Sequence, residues 1–193
     1  MNRKYGFIDK HGKTIIPFIY NRVYSFHEGL AGVYKGVNKK NGIWEFIDKQ
    51  GHTVIPIVGP PTFGGFANGL CCIEIHDNNG CHLGFIDKKG NTIIPFIYAD
   101  IQSGDWDGEH YWDPFYESED LLGVFKGTVI YDKHHNLIKK KGKWGYIDKQ
   151  GKEIIPFQFS YAGLFSNGIA KVEKRFLGIK QTFYIDKQGN RIE

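Results

Sequence analysis

The strongest constraint in this sequence is a phrase that returns five times: Ile-Asp-Lys, any residue, Gly. It stands at Ile8-Asp9-Lys10, Ile47-Asp48-Lys49, Ile86-Asp87-Lys88, Ile147-Asp148-Lys149 and Ile185-Asp186-Lys187, closed by Gly12, Gly51, Gly90, Gly151 and Gly189. Successive copies begin 39, 39, 61 and 38 residues apart. Prolines keep step at Pro17, Pro56, Pro95 and Pro156, and a Phe-x-x-Gly signal follows at Phe26/Gly29, Phe66/Gly69 and Phe165/Gly168. Three landmarks on one period identify a supersecondary unit copied in tandem, each copy burying its apolar face against its neighbours.

Each unit reads as three short strands. In Tyr5-Gly6-Phe7-Ile8, Trp44-Glu45-Phe46-Ile47, Leu83-Gly84-Phe85-Ile86 and Trp144-Gly145-Tyr146-Ile147, aromatic and aliphatic residues crowd both faces, as in a strand covered on two sides. The Asp-Lys-x-Gly that follows is a hairpin turn. Asp accepts nearby backbone N–H groups, and Gly takes the positive φ that closes the hairpin with a bulge. A β-branched return follows at Thr14-Ile15-Ile16, Thr53-Val54-Ile55, Thr92-Ile93-Ile94 and Glu153-Ile154-Ile155, and proline is expected to end it, having no donor for a continuing ladder. After a loop comes the third strand: Leu30 to Tyr34, Leu70 to Glu74, Leu121 to Phe125 and Ile169 to Val172. It is expected to pair with the first strand of the next unit.

The copy Gly142-Lys143-Trp144-Gly145-Tyr146-Ile147-Asp148-Lys149-Gln150-Gly151, continuing through Ile154-Ile155-Pro156 to Phe165-Ser166-Asn167-Gly168, resembles the bacterial WG-repeat, or KWG-repeat, proteins. Tyr5 and Leu83 stand where that pattern has Trp, and Glu45 where it has Gly. The resemblance implies a β-repeat fold and carries no agreed catalytic activity, so it transfers architecture and almost no function. The fold expected is all-β, with antiparallel three-stranded units stacked in an open, curved array; a propeller-like ring is the alternative. The units run over about 1–39, 40–78, 79–139 with an insertion at 101–118, and 140–177, with a terminal hairpin at 178–193, all in a single repeat domain.

Composition narrows the functional classes. The start, Met1 to Tyr5, has no apolar leader, and no apolar run reaches the roughly 18 residues of a membrane helix, so a cytoplasmic chain that does not enter membranes is expected. Three cysteines, Cys71, Cys72 and Cys81, argue for reduced thiols over a disulfide framework. The net charge of +4 is mild and is carried mostly by lysine, which makes nucleic acid an unlikely partner. The run Lys139-Lys140-Lys141 with Lys143 reads as solubility and edge protection, with phosphate binding the lesser reading.

The break in the period is where function is expected. The third strand of unit three lies 91 residues after that of unit one, where two periods give 78, so thirteen residues precede it and nine more follow it. The first addition contains Asp105, Trp106, Asp107, Glu109, His110, Tyr111, Trp112, Asp113, Phe115 and Tyr116. Such a density of rings and carboxylates on a loop suits a ligand or partner surface, aromatics giving contact area and acids giving direction. Packing of those rings on the adjacent unit is the competing reading. A binding scaffold for a protein partner follows, with a small-ligand site for a glycan or nucleotide, walled by Trp106, Tyr111, Trp112 and Tyr116, as the alternative. A hydrolase using the loop's carboxylates comes third.

No catalytic residue, cofactor or metal is assigned. The nucleophile-elbow, zincin and phosphate-loop motifs are absent, and Asp105, Asp107, Glu109 and Asp113 lack the spacing of an EF-hand. In the segment from Cys71 to His82, a turn over Asp77 to Gly80 sets His76 opposite Cys81, with Cys72 on the same face, a spacing that admits Zn²⁺. Small buried thiols beside a polar turn account for it as well.

Overall fold

The computed structural model describes residues 3–36, 42–62, 64–77, 80–102, 113–131 and 137–192. They form five antiparallel sheets in chain order. The first holds β1 (Tyr5–Ile8) and β2 (Thr14–Tyr20); the second β3 (Arg22–Val23), β4 (Ala31–Gly36), β5 (Gly42–Ile47) and β6 (Thr53–Ile57). The third holds β7 (Leu70–Asp77), β8 (Gly80–Asp87) and β9 (Thr92–Tyr98). The fourth holds β10 (Asp100–Ile101), β11 (Leu122–Tyr131), β12 (Leu137–Ile147) and β13 (Glu153–Phe159), and the fifth β14 (Tyr161–Ala162), β15 (Ile169–Phe176), β16 (Ile179–Asp186) and β17 (Arg191–Ile192). In every sheet the strands lie side by side in sequence order.

Each four-stranded sheet joins the end of one sequence unit to the first hairpin of the next, as the pairings of β4 with β5, β11 with β12 and β15 with β16 show. The unit also gains a fourth strand that its sequence hides. β3, β10 and β14 are two residues each, too short to carry a pattern. In the third sheet Pro61 takes that place with a single bridge to Ile73, helped by Thr62 N–H donating to the Cys72 carbonyl at 2.9 Å.

The apolar residues gather into four cores, one between each pair of successive sheets. Ile16 and Tyr20 meet Ala31, Val33 and Ile47 in the first, and Phe46 and Ile55 meet Phe66, Cys71, Ile73 and Ile86 in the second. Cys72, Phe85, Ile94 and Tyr98 meet Leu122, Val124 and Ile147 in the third. Tyr146, Ile155 and Phe159 meet Phe165, Ala170, Val172 and Ile185 in the fourth. No core cluster of described residues joins the first sheet to the last, as in an open stack of repeats.

The five turns behave as their sequence requires. In every copy one carboxylate oxygen accepts two backbone N–H groups at 2.8 to 2.9 Å: His11 and Lys13 on Asp9, Gln50 and His52 on Asp48, Lys89 and Asn91 on Asp87, Gln150 and Lys152 on Asp148, and Gln188 and Asn190 on Asp186.

The prolines correct the sequence reading. β2, β9 and β13 run through Pro17, Pro95 and Pro156 and continue for three residues. Between the pairs Tyr5↔Tyr20 and Phe7↔Ile16, β1 spends only Gly6 while β2 spends Pro17, Phe18 and Ile19, and the third and fourth sheets repeat this register around Gly84 and Gly145. Proline is accommodated because it sits in a bulge on an outer strand, where no ladder donor is required. The same bulge explains the glycine of the Trp-Gly pair: a Cβ on Gly145 would lie 2.8 Å from the Ile155 carbonyl oxygen and 3.1 Å from the Phe157 ring. Unit two, which has Glu45 there, has no bulge at that position, pairing Trp44↔Ile57, Glu45↔Pro56 and Phe46↔Ile55 in simple register before a shift at Ile47. The buried Glu45 carboxylate accepts hydrogen bonds from Lys35 Nζ at 3.0 Å and Thr53 Oγ1 at 2.8 Å.

Candidate functional site: the break in the third unit

The segments flanking both additions to unit three lie among the described residues. The nine-residue addition lengthens the hairpin of β11 and β12, whose ladder runs from Leu122↔Ile147 out to Tyr131↔Leu137. The thirteen-residue addition leaves from β10 at one edge of the fourth sheet and returns through a single helical turn, α1 (Pro114–Glu117), to β11. Asp105, Trp106, Asp107, Glu109, His110, Tyr111 and Trp112 lie outside the described residues.

The remaining three expected site residues take different roles. Asp113 is the N-cap of α1: its Oδ1 accepts the N–H groups of Phe115 at 3.0 Å and Tyr116 at 3.2 Å, and its Oδ2 accepts from Asn68 Nδ2 in the preceding unit. A side-chain acceptor at this position satisfies backbone donors that the first helical turn leaves free, and Pro114 suits the first helical position because it has no N–H to satisfy. Phe115 is 2% exposed and packs on Phe85 with ring centroids 5.5 Å apart. Tyr116 is 74% exposed. One anchored turn thus buries the first ring and exposes the second. Beneath them, Gly65, Ala67, Leu70, Cys72, Phe85, Asp113, Pro114 and Phe115 line a crevice with room for about one water molecule.

Next to α1 runs a row of two-residue turns, three of which close the Phe-x-x-Gly signal. Glu28-Gly29, Asn68-Gly69, Glu119-Asp120 and Asn167-Gly168 all have positive φ at both positions, the geometry of a tight hairpin turn. Glu28 accepts the Gly69 N–H at 3.1 Å and pairs with Lys88 at 2.8 Å; Glu119 accepts the Gly168 N–H at 3.0 Å and pairs with Lys187 at 3.0 Å. The Lys187 ammonium and the Gly168 N–H hold the Glu119 carboxyl below its ordinary value. The row links unit to unit, and Asn68 with Asp113 supplies the link at the insertion.

The lysines of the long hairpin are partly engaged. Lys140 pairs with Asp100 at 2.9 Å and lies 4.6 Å above the Phe125 ring and 4.7 Å above that of Trp144, so its charge is spent on the fold.

The segment from Cys71 to Cys81 folds as its alternation predicts, with His76↔Cys81 and Cys72↔Phe85 directly paired. All three thiols are free; Cys71 and Cys72 are buried. Between Cys72 and His76 on the same face stands Glu74, which the sequence reading passed over, and its Oε1 lies 2.6 Å from His76 Nε2. The donor atoms of Glu74, His76 and Cys81 all lie within 4.8 Å of one another. Burial, with the charge and hydrogen bond of Glu74, pushes the Cys81 thiol up to about 12; burial likewise pushes Cys72 up to about 12. Neither is a reactive thiolate at neutral pH.

A family model described as WG containing repeat matches residues 5–40, 84–106 and 144–175. Over those three stretches the chain carries the WG-containing repeat. The interruptions in the match fall on the unit that has Glu45 in place of glycine and on the additions to the third unit. The glycine that gives the WG repeat its name is thus the residue the strand bulge demands. No curated protein matches the chain. Among the described residues no helix is long and apolar enough to cross a membrane.

Proposed function

We propose that this WG-repeat chain is a non-enzymatic scaffold that holds a protein partner at the break in its third unit. The observation that carries this is the buried ring and the exposed ring side by side on α1. Phe115 is buried between sheets and Asp113 caps the turn, so Tyr116 is offered to solvent from a backbone fixed at both ends. An aromatic ring presented from a rigid base contributes contact area without a large ordering cost, the usual make-up of a binding hot spot. The ring- and carboxylate-rich residues 105–112 precede it directly in sequence. The crevice that described residues form beneath α1 has no room for a glycan or a nucleotide, so it gives a small ligand no seat there. Asp113, whose two oxygens are already engaged by three donors, is poorly suited to general acid or base work.

The test is affinity capture with the full chain, a variant in which residues 104–112 are replaced by a short Gly-Ser link, and Tyr116→Ala. The deletion stops before Asp113 because that residue and Phe115 support the fold. A specific partner is expected to be lost with the deletion and weakened at least tenfold by Tyr116→Ala. A partner set unchanged by both variants overturns the proposal.

A further inference from the structure

We propose that Glu74, His76 and Cys81 form a Zn²⁺ site at the outer end of the hairpin made by β7 and β8. Alternation along β7 puts Glu74 and His76 on one face, and the register puts Cys81 opposite His76 on that face. A carboxylate oxygen, an imidazole nitrogen and a sulfur therefore converge, their donor atoms all within 4.8 Å. Zinc bonds of about 2.0 Å to nitrogen and oxygen and about 2.3 Å to sulfur set tetrahedral donors about 3.3 to 3.5 Å apart. The widest separation must close by about 1 Å and the Glu74–His76 pair, 2.6 Å apart, must open by somewhat less, both within reach of side-chain rotation at an exposed hairpin end where His76 is 65% exposed on its side chain. The mixed donor set suits zinc, whereas Ca²⁺ and Mg²⁺ call for oxygen alone.

The surroundings favour a cation. Glu74 is only 31% exposed, and its partners across this cluster are a histidine and a thiol, neither of which carries a fixed positive charge. On binding, the Cys81 thiol releases its proton to solvent and its sulfur becomes an anionic ligand, while Glu74 and His76 supply the other two donors. Three protein ligands leave the fourth position to water, or to a donor group from whatever docks on this face.

Co²⁺ titration of the reduced full chain tests the assignment. One equivalent is expected to give a thiolate-to-metal charge-transfer band together with the visible bands of a tetrahedral ion, both displaced by one equivalent of Zn²⁺. Cys81→Ser is expected to abolish the charge-transfer band, and His76→Ala and Glu74→Gln to weaken binding at least tenfold, while Cys72→Ala leaves spectrum and affinity unchanged. Circular dichroism confirms that each variant folds; the exposed His76 serves if Cys81→Ser does not. No stoichiometric band in the wild type, or a band that survives Cys81→Ser and disappears with Cys72→Ala, overturns the site.

Discussion

The carboxylate of each turn aspartate organises four or five residues of backbone by itself. Asp48 is held below the ordinary 3.8 first by the His52 N–H, and Asp87 and Asp186 first by the side-chain amides of Asn91 and Asn190. A carboxyl that binds its proton more weakly when folded than when unfolded adds stability at pH values above its unfolded value and loses it as pH falls through the lower folded value. These three turns are therefore expected to support a melting temperature that is level down to about pH 4 and falls below it. Replacing Asp48, Asp87 and Asp186 together by Asn should lower the melting temperature at neutral pH and flatten its acid dependence; thermal unfolding followed by circular dichroism across pH 2 to 7 decides between the two profiles. The turns were legible in the sequence because every partner lies two or four residues away. Glu74 was not, because its significance depends on Cys81, seven residues on and across the hairpin.

Among elements, the strand bulge has the clearest consequence. A Cβ on Gly145 would meet the Ile155 carbonyl oxygen at 2.8 Å, closer than side chains come to backbone, and crowd the Phe157 ring at 3.1 Å, so Gly145→Ala should force the bulge apart and cost about 1 to 3 kcal/mol. Denaturant unfolding of this variant measures the loss; a change within 0.5 kcal/mol, the span of an ordinary surface substitution, would show that the bulge relaxes freely. The sequence announced the strands and the pairing of each third strand with the next unit, since both follow from apolar pattern and spacing. It misplaced the prolines, because whether proline ends a strand or occupies a bulge is decided by the glycine opposite, which local propensity does not see. Of the candidate site, Tyr116 is exposed, whereas Asp113 caps α1 and Phe115 is buried in a core. Their sequence alone could not separate these roles, since a capping Asp and a contacting Asp look alike until Asn68 and the helical turn are in place.

For the whole molecule, stability resides in interfaces between sheets, each core drawing on two neighbours. Removing residues 160–193 strips Ala162, Phe165, Ala170, Val172 and Ile185 from the last core and leaves Tyr146, Ile155 and Phe159 uncovered. Hydrogen exchange should then accelerate in β12 and β13 while β4, β5 and β7 keep their protection; uniform acceleration along the chain would mean the array unfolds as one cooperative block. Because every complete sheet takes strands from two sequence units, as β3 and β4 with β5 and β6 do, the boundaries of the repeat in the gene need not match those of the folded body. Unequal recombination between any two corresponding positions 39 residues apart, such as Ile8 and Ile47, inserts or deletes one whole sheet together with one whole core, wherever in the repeat the exchange falls. Such an architecture can change its length by ordinary genetic accident without passing through a broken intermediate.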